Sequence, residues 1–203
     1  VGEWIVELLR EAQGRGLGSQ AYALVEQTAR WHGRTVLQSW AEHSEVPGER
    51  LVPPTGFGSV PAEESAVRFF VKHGYTLEQI ERCSALDLHA PFDAIEGLFD
   101  QALAAAPEYR VLSWFVPTPP EYVDGYALMK ARMATDAPAG GLEFDEEVWD
   151  AARLRRFEQN YLDGGTSLRV AAAQHIPTGQ LAAFSELTVG RDHTAATHQN
   201  DTL

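Results

Sequence analysis

Residues 13–18 read Q-G-R-G-L-G, and this glycine-rich stretch decides how the chain is interpreted. It follows residues 4–9 (W-I-V-E-L-L), which favour a strand, and it opens residues 19–31, whose apolar side chains share one helical face. Glycines allow a positive φ and a close approach of the backbone to a ligand. The free N–H groups at the helix start and the helix dipole favour an anion there. The sequence therefore predicts a phosphate or pyrophosphate bound around residues 13–19.

Two common phosphate-binding motifs do not fit this stretch. A P-loop requires a Lys-Ser or Lys-Thr pair after its second glycine, and none follows here. A Rossmann fingerprint requires G-x-G-x-x-G, and Ser19 stands where the third glycine would be. Two alternatives stay open from the residues alone. The glycines could make only a tight turn, or the loop could bind the phosphates of a nucleotide such as ATP or NAD.

The same stretch resembles the Q/R-x-x-G-x-G/A signature that holds the pyrophosphate of coenzyme A in GNAT acetyltransferases. Gln13, Gly16 and Gly18 match its fixed positions. Residues 62–75 (A-E-E-S-A-V-R-F-F-V-K-H-G-Y) are similar to the family's second element, a helix that flanks the pantetheine arm. The resemblance covers residues 1–88. It implies a GNAT fold, an α/β (α+β) fold in which helices flank a mixed central β-sheet, and acetyl-CoA as co-substrate without a metal.

The resemblance also implies where the cofactor would lie. The pantetheine arm would run along the backbone of residues 8–10 as an added strand, and the N–H groups of residues 13–19 would hold the pyrophosphate. A backbone N–H near the end of the first strand would polarise the acetyl carbonyl. The cofactor-binding residues expected on this basis are Leu8, Leu9, Arg10, Gln13, Gly14, Arg15, Gly16, Leu17, Gly18 and Ser19.

One position departs from the family pattern. Many members carry a tyrosine four residues before the glycine of the second helix, where it protonates the leaving thiolate. Here that residue is Phe70, whose ring has no proton to donate. Tyr75, one residue after that glycine, is interpreted as a core aromatic residue. The catalytic residues are therefore unknown from the sequence.

Outward from the motif, the chain reads as two half domains. Residues 1–90 are interpreted as the C-terminal half of a first GNAT domain, with further strands at residues 35–40 and 75–88 and a long loop at residues 44–61. Residues 91–107 read as a linker helix. Residues 108–203 resemble the N-terminal half of a second such domain: a strand at 109–116, helices at 120–132 and 143–161, a hairpin of strands at 167–175 and 180–189, and the start of another strand at 194–203.

This order of elements resembles tandem acetyltransferases of actinobacteria, including mycothiol-synthase-like proteins. We expect the chain to be a fragment of a longer protein, with the back half of one domain and the front half of the next. Alternatively, the two halves complement each other, within one chain or between two. Because unpaired strand edges promote association, a homodimer is plausible.

No residue stands out as the general base. Candidates on the strands of the second half or at their ends are His175, Glu186, His193, His198 and Asp201, with Asp201 placed nearest a cofactor site by the resemblance. The leading function is an N-acetyltransferase in which an amine attacks acetyl-CoA directly. The alternative is a non-catalytic acyl-CoA-binding or structural module, which Phe70 favours. The acceptor is unknown, and residues 44–61 are the candidate loop for it.

Composition narrows the partners. The formal net charge of −13 disfavours nucleic acid and anionic membranes, and it suits solubility or, more weakly, a cationic acceptor. No apolar run approaches the ~20 residues of a membrane helix. The single cysteine, Cys83, is expected to be buried. Because one cysteine cannot form an internal disulfide, the cytoplasm is the default compartment. No Cys/His cluster has metal-ligand spacing.

Overall fold

The chain divides into two units that are described separately. The computed structural model describes residues 1–87, 89, 91–191 and 198–202, the last of these by their backbone only. Unit 1 comprises Val1–Cys83 together with Pro138–Asp145, and unit 2 comprises Ser84–Ala137 together with Glu146–Leu203. Unit 1 carries the glycine-rich stretch, so it holds the predicted cofactor site.

Unit 1 begins with a strand–loop–helix–strand element. Strand β1 (Gly2–Glu3) pairs in parallel with β2 (Leu37–Gln38), and helix α1 (Leu17–Trp31) lies between them in sequence. Gly2 and Glu3 precede the strand predicted at residues 4–9, whereas Leu37 and Gln38 lie within the strand predicted at residues 35–40. The paired region is shorter than predicted, since residues 5–9 have no strand partner in the described part of the chain. These residues still alternate between exposed and half-buried, as an extended segment does.

The predicted long loop contains a small hairpin. Strand β3 (Arg50–Leu51) pairs antiparallel with β4 (Val60–Pro61). Helix α2 (Ser65–Lys72) follows, and the Glu64 carboxylate caps its first turn by accepting bonds from the N–H groups of Ala66 at 2.8 Å and Val67 at 3.2 Å. The sequence placed this helix start three residues too early.

Residues 75–87 differ from the prediction. The sequence indicated one or two strands at 75–88, but no strand occurs within residues 75–87, and Leu88 lies outside the described residues. A strand needs a neighbour for its backbone groups, and the strands of unit 1 pair only with one another in the described part. Cys83 lies in this unpaired segment and is exposed, so the expectation of a buried thiol was wrong.

Unit 2 contains a four-stranded antiparallel sheet with helices on one face. Its strands lie in sequence order and are β5 (Tyr109–Phe115), β6 (Ser167–His175), β7 (Leu181–Val189) and β8 (His198–Thr202). Its helices are α3 (Asp93–Ala105), α4 (Val123–Asp136) and α5 (Ala151–Gly164). The predicted hairpin and the strand at 109–116 are confirmed. The predicted strand at 194–203 is present over residues 198–202, and residues 194–197 and 203 lie outside the described residues.

The core of unit 2 lies between the sheet and helices α4 and α5. Alternate residues of β6 and β7 are buried against these helices, which is why the sequence shows period-two patterns in both strands. Helix α5 begins eight residues later than predicted, where Asp150 accepts a bond from the N–H of Arg153 at 2.6 Å. The best-buried apolar side chains are Tyr126, Leu154, Leu168, Val170 and Phe184.

Candidate functional site

The glycine loop, residues 10–16, joins the extended segment to helix α1. It opens with a single 3₁₀ turn at Arg10–Ala12. Gly14 has φ +70° and Gly16 has φ +81°, a left-handed conformation that other residues adopt only with strain. Space is open where a Cβ would lie at either glycine, so their role is conformational. The spacing of the two glycines thus turns the chain sharply into the helix.

The start of helix α1 offers backbone donors. Gly16 is the N-cap residue and makes no side-chain capping bond, and the N–H of Gln20 bonds the Gly16 carbonyl at 3.2 Å. The N–H groups of Leu17, Gly18 and Ser19 therefore have no carbonyl one turn before them within the helix. No acidic side chain lies in the first turn. These donors can hydrogen-bond an anion.

The side chains of the loop add positive charge to this place. Arg10 and Arg15 are both exposed, and neither forms an ion pair with another described residue. Glu11 is the acidic side chain of the loop. In a chain of net charge −13, a loop with two cations and one anion is a local exception. Its charge therefore favours an anionic ligand.

The Gln13 side chain closes the loop back onto the extended segment. Its Nε2 donates to the Leu8 carbonyl at 3.1 Å. The Leu9 carbonyl accepts from the N–H of Ala12 at 2.8 Å, and the Arg10 carbonyl accepts from the N–H of Gln13 at 3.3 Å. The carbonyls of all three residues predicted to hold pantetheine are thus engaged internally.

The N–H groups of the extended segment are different. Those of residues 5–10 donate to no other described residue. A ligand lying along this segment would therefore accept hydrogen bonds from its N–H groups, rather than compete for the carbonyls of residues 8–10. Such an arrangement resembles the addition of a strand to an open edge.

Gly18 allows helix α1 to pack closely on helix α2. A Cβ at Gly18 would lie 3.2 Å from Phe69 Cε2 and 3.5 Å from Leu8 Cδ1. The first turn of α1 is therefore held against both the second helix and the extended segment. The third glycine of the motif serves packing, whereas Gly14 and Gly16 serve backbone conformation.

An aromatic cluster lies behind the loop and fixes its surroundings. Tyr22 is 6% exposed, and its ring centroid lies 4.5 Å from that of His73 and 5.2 Å from that of Trp4. Phe69 and Phe70 of α2 pack beside these rings. Contacts between aromatic edges and faces at these distances stabilise the packing of α1, α2 and the extended segment.

Tyr75 is part of this cluster, as predicted. It is half-buried, its ring lies 5.4 Å from Phe70, and its hydroxyl accepts a bond from Trp4 Nε1 at 2.8 Å. Burial is the main cause that raises the pKa of Tyr22, and its hydrogen bond with Tyr75 is the next. Tyr22 also donates to Glu26 at 3.2 Å. The expected acid position, Phe70, carries no polar group in this cluster.

One polar contact joins the two helices at the glycine loop. Ser19 Oγ lies 3.1 Å from His73 Nε2. Ser19 is the third residue of α1, and His73 follows the last residue of α2. The contact places the His73 imidazole next to Ser19, which is one of the residues of the predicted anion site. No sequence pattern indicated this contact, although His73 lies four residues after Phe69, on the same side of the helix.

A cleft of about 390 Å³ opens beside the cluster within unit 1. Tyr22 and Glu26 of α1 line it, together with His73 and Tyr75. A second groove of about 500 Å³ lies between α1 and the β1–β2 pair. The first has polar walls and the second apolar ones, so the first is the better place for a polar acceptor.

The candidate acceptor loop is held by one arginine. Arg50 Nη2 donates to the Ser59 carbonyl at 2.6 Å, and Arg50 Nε donates to Ser59 Oγ at 2.9 Å. Arg50 also bonds Glu45, and this contact lowers the pKa of the Glu45 carboxyl. These bonds fix the β3–β4 hairpin in residues 44–61, and they do not themselves point to a ligand.

The candidate bases of unit 2 lie in different surroundings. His175 Nδ1 is 2.9 Å from Thr178 Oγ1 in the hairpin turn, so its bond stabilises that turn. His198 and Asp201 lie in strand β8, where only the backbone is described, and His193 lies outside the described residues. His175, His198 and Asp201 belong to unit 2, whereas the glycine loop belongs to unit 1.

Glu186 is a core residue of unit 2. It is fully buried, accepts a bond from the Tyr126 hydroxyl, and lies 3.1 Å from Lys130 Nζ. Lys130 also lies 4.5 Å from the centroid of the Phe157 ring. A buried carboxylate bonded in this way fixes α4 on β7, and the geometry supports a structural role rather than that of a base.

The described residues contain no group of three or more His, Cys, Asp and Glu side chains that could hold a metal ion. No helix among them is long and apolar enough to cross a membrane.

Comparison with known proteins identifies the fold. No protein-family model matches the sequence, and no curated protein is similar to it. Among solved structures, the chain is similar to a tandem GNAT protein from the clavulanic acid biosynthesis pathway, in a form without acetyl-CoA. The TM-score is 0.53 at 19% sequence identity, and the match covers 97% of this chain and 53% of that one.

This likeness shows that the chain has a GNAT fold, and the mixed α/β architecture is confirmed. The chain spans about half the length of the tandem protein that it matches. The glycine motif that pointed to this fold lies at the start of helix α1, as predicted, but the segment before it at residues 4–9 is extended and is not paired as a strand.

Proposed function

We propose that this chain binds acetyl-CoA at the glycine loop and belongs to an acetyl-CoA-dependent N-acetyltransferase of the GNAT superfamily. One observation carries the proposal: an extended segment with open N–H groups leads through a loop with two left-handed glycines into an uncapped helix N-terminus. The segment suits an amide-bearing arm, and the helix start suits the pyrophosphate that follows it in coenzyme A. The GNAT fold supports this assignment.

Individual roles follow from the geometry of the loop. The N–H groups of Leu17, Gly18 and Ser19 would hold the pyrophosphate, with Arg10 and Arg15 adding positive charge. The N–H groups of the extended segment, including those of Leu8 and Leu9, would bond the pantetheine carbonyls. Gln13 would keep the loop closed through its bond to Leu8 rather than contact the ligand.

The proposed reaction is a direct transfer without a metal. An amine loses a proton to a base, and its lone pair attacks the thioester carbonyl. The tetrahedral intermediate then collapses, the C–S bond breaks, and the coenzyme A thiolate leaves and takes up a proton. A backbone N–H near the end of the extended segment would stabilise the oxyanion. Phe70 cannot supply the proton to the thiolate, so this proton would come from water or from another group.

The first experiment is calorimetric titration of acetyl-CoA into the chain and into Gly16→Glu. The new carboxylate would lie at the proposed pyrophosphate, so we expect affinity to fall by about 100-fold or more. Gly33→Glu is the matched control. Gly33 has φ +66° with open space around it and lies just beyond the other end of α1, so it carries the same strain and charge change.

Equal losses in both variants would argue against a phosphate at the helix start. Stronger binding of ATP or NAD than of acetyl-CoA would indicate a nucleotide-phosphate site of another kind. Circular dichroism on all three proteins verifies that they are folded.

A second candidate function is a non-catalytic acyl-CoA-binding or structural GNAT module. The observation in its favour is Phe70, which packs 5.8 Å from the Trp4 ring and provides no acid. Thiol release in the presence of a panel of amines separates the two functions. Binding without release supports the module, and amine-dependent release supports the transferase.

The remaining proposals concern the setting of the site. We infer a small-molecule or peptide amine as acceptor, a cytoplasmic location and a homodimer as the assembled form. We also infer that the chain is part of a longer tandem, mycothiol-synthase-like protein, with half domains at residues 1–90 and 108–203 joined by 91–107. The 53% coverage of the matching tandem protein supports this last inference.

A further inference from the structure

The contact between Ser19 and His73 joins the proposed phosphate site to the end of helix α2. Ser19 Oγ and His73 Nε2 are 3.1 Å apart, and both side chains are half-buried. The His73 ring is held by Tyr22 and Phe69, each with its ring centroid 4.5 Å away. The imidazole is therefore fixed in place, and its nitrogen faces the hydroxyl.

The position of the proton between these two side chains decides what Ser19 can offer to a ligand. A serine hydroxyl has one proton and two lone pairs. If His73 Nε2 carries a hydrogen, it donates to Oγ, and the Ser19 proton is free to turn toward the open helix start. If Nε2 is bare, Ser19 donates to His73, and a lone pair of Oγ faces the helix start instead. An anion is stabilised by the first arrangement and repelled by the second.

We propose that His73 is a positioning residue for the phosphate ligand and acts through Ser19. It turns the Ser19 hydroxyl so that it donates to the pyrophosphate, beside the N–H groups of the first turn. The inference rests on the proposed function, since it needs an anion at the glycine loop. It assigns to His73 a role in ligand affinity rather than in the transfer of the acetyl group.

The mechanism makes ligand affinity depend on pH. Histidine changes charge between pH 5 and 8, and its charged form carries hydrogens on both ring nitrogens. The charged form enforces the favourable arrangement and adds a positive charge near the anion. The ionisable side chains that line the same cleft as His73 come from α1, from the turn after it and from the segment after α2: Tyr22, Glu26, Arg30, Arg34, Tyr75 and Glu78.

Of these groups, Glu26 accepts hydrogen bonds from Tyr22 at 3.2 Å and from Arg30 at 3.1 Å.

The anion favours the charged form of His73. The binding of the anion is therefore accompanied by the uptake of a proton. Affinity should therefore be highest at low pH and fall as the pH rises.

The test uses dephospho-CoA, titrated by calorimetry between pH 5.5 and 8. Its pyrophosphate keeps a constant charge over this range, whereas the additional phosphate monoester of coenzyme A itself titrates near pH 6. We expect the affinity of the unmodified chain to fall about 5-fold across the range, which is about 1 kcal/mol. His73→Gln should bind with an affinity that is independent of pH, and Ser19→Ala should keep only the part of the pH dependence that the charge of His73 itself produces.

His32→Gln is the matched control. His32 is an exposed histidine at the other end of α1, so its removal should leave the pH dependence intact. Calorimetry on the unmodified chain in buffers of different ionisation enthalpy measures the proton uptake directly. This second measurement does not depend on the folding of any variant.

Each outcome bears on a separate claim. Retention of the pH dependence by His73→Gln, or the absence of proton uptake by the unmodified chain, would overturn the inference. If Ser19→Ala keeps the full pH dependence and His73→Gln loses it, the charge of His73 acts on the ligand without Ser19, and the role of Ser19 is wrong. Failure of the unmodified chain to bind acetyl-CoA or dephospho-CoA at any pH would overturn the proposed function as well.

Discussion

At the scale of single residues, Gly18 has a different structural role from the two glycines before it. The glycines of the motif were expected to allow a positive φ and a close approach to a ligand, but only Gly14 and Gly16 use a left-handed backbone. Gly18 is needed because Phe69 and Leu8 lie within 3.2 and 3.5 Å of the place where a side chain would begin. Sequence spacing cannot distinguish these roles, because close approach depends on a helix some fifty residues further along the chain.

We expect Gly18→Val to destabilise the chain by about 1–3 kcal/mol, because the added methyl groups overpack the contact between α1 and α2. Gly97→Val in α3 is the control, since nothing lies within 4 Å of the same place there. Its effect should stay within about 0.5 kcal/mol. Urea denaturation measures both, and equal effects in the two variants would contradict the packing role of Gly18.

Tyr22 illustrates a property that no sequence pattern could indicate. Its pKa is raised first by burial and then by its contact with Tyr75, which comes from a distant part of the chain. The folded state therefore keeps a proton that the unfolded state loses above about pH 10. Stability is unaffected below that pH and falls as the pH rises above it, because the unfolded state then binds fewer protons.

We expect the free energy of unfolding to fall more steeply between pH 9 and 11 in the unmodified chain than in Tyr22→Phe. Absorbance at the tyrosinate band should also show one fewer late-titrating tyrosine in the variant. The same slope and the same absorbance titration in both proteins would show that Tyr22 ionises like an exposed phenol.

At the scale of elements, local signals predicted the helices and the β6–β7 hairpin, whereas the pairing of other segments was decided by their neighbours in the fold. The alternating patterns of β6 and β7 and the turn between them are local, so the hairpin was predictable. The segment at residues 75–87 contains strand-forming residues, but pairing depends on a neighbour that the sequence does not specify. Likewise, the backbone of residues 8–10 was predicted to bond a ligand, and the sequence gives no sign that the Leu8 carbonyl accepts a bond from Gln13.

Helix α2 provides a test at this scale. Glu64 caps the helix through two backbone N–H groups, and Glu63 beside it only faces Arg68 at 3.7 Å on the surface. We expect Glu64→Ala to cost about 1 kcal/mol of stability, while Glu63→Ala costs about 0.5 kcal/mol or less. Thermal unfolding of the two variants measures this difference, and the reverse order would place the start of α2 elsewhere.

At the scale of the whole molecule, charge governs the proposed assembly. Each copy carries a net charge of −13, so two copies repel each other at low ionic strength. We expect the proposed homodimer to strengthen about 3-fold or more between 50 and 500 mM salt, as screening shortens the range of that repulsion. Sedimentation velocity over a range of protein concentrations measures the dissociation constant of the homodimer at each salt concentration. A monomer at every salt concentration would rule the homodimer out.

The discontinuity of unit 1 has a consequence for the order in which the chain is made. Its closing segment, Pro138–Asp145, follows Cys83 only after more than fifty intervening residues. The N–H of Glu143 in this segment reaches Gln38 Oε1 at 2.6 Å, beside strand β2. Ribosomes add about 5–20 residues per second, so the proposed cofactor half waits several seconds for its last piece. During that interval the nascent glycine loop and helix α1 lack the segment that completes their unit. We expect this to be the stage at which a chaperone binds them.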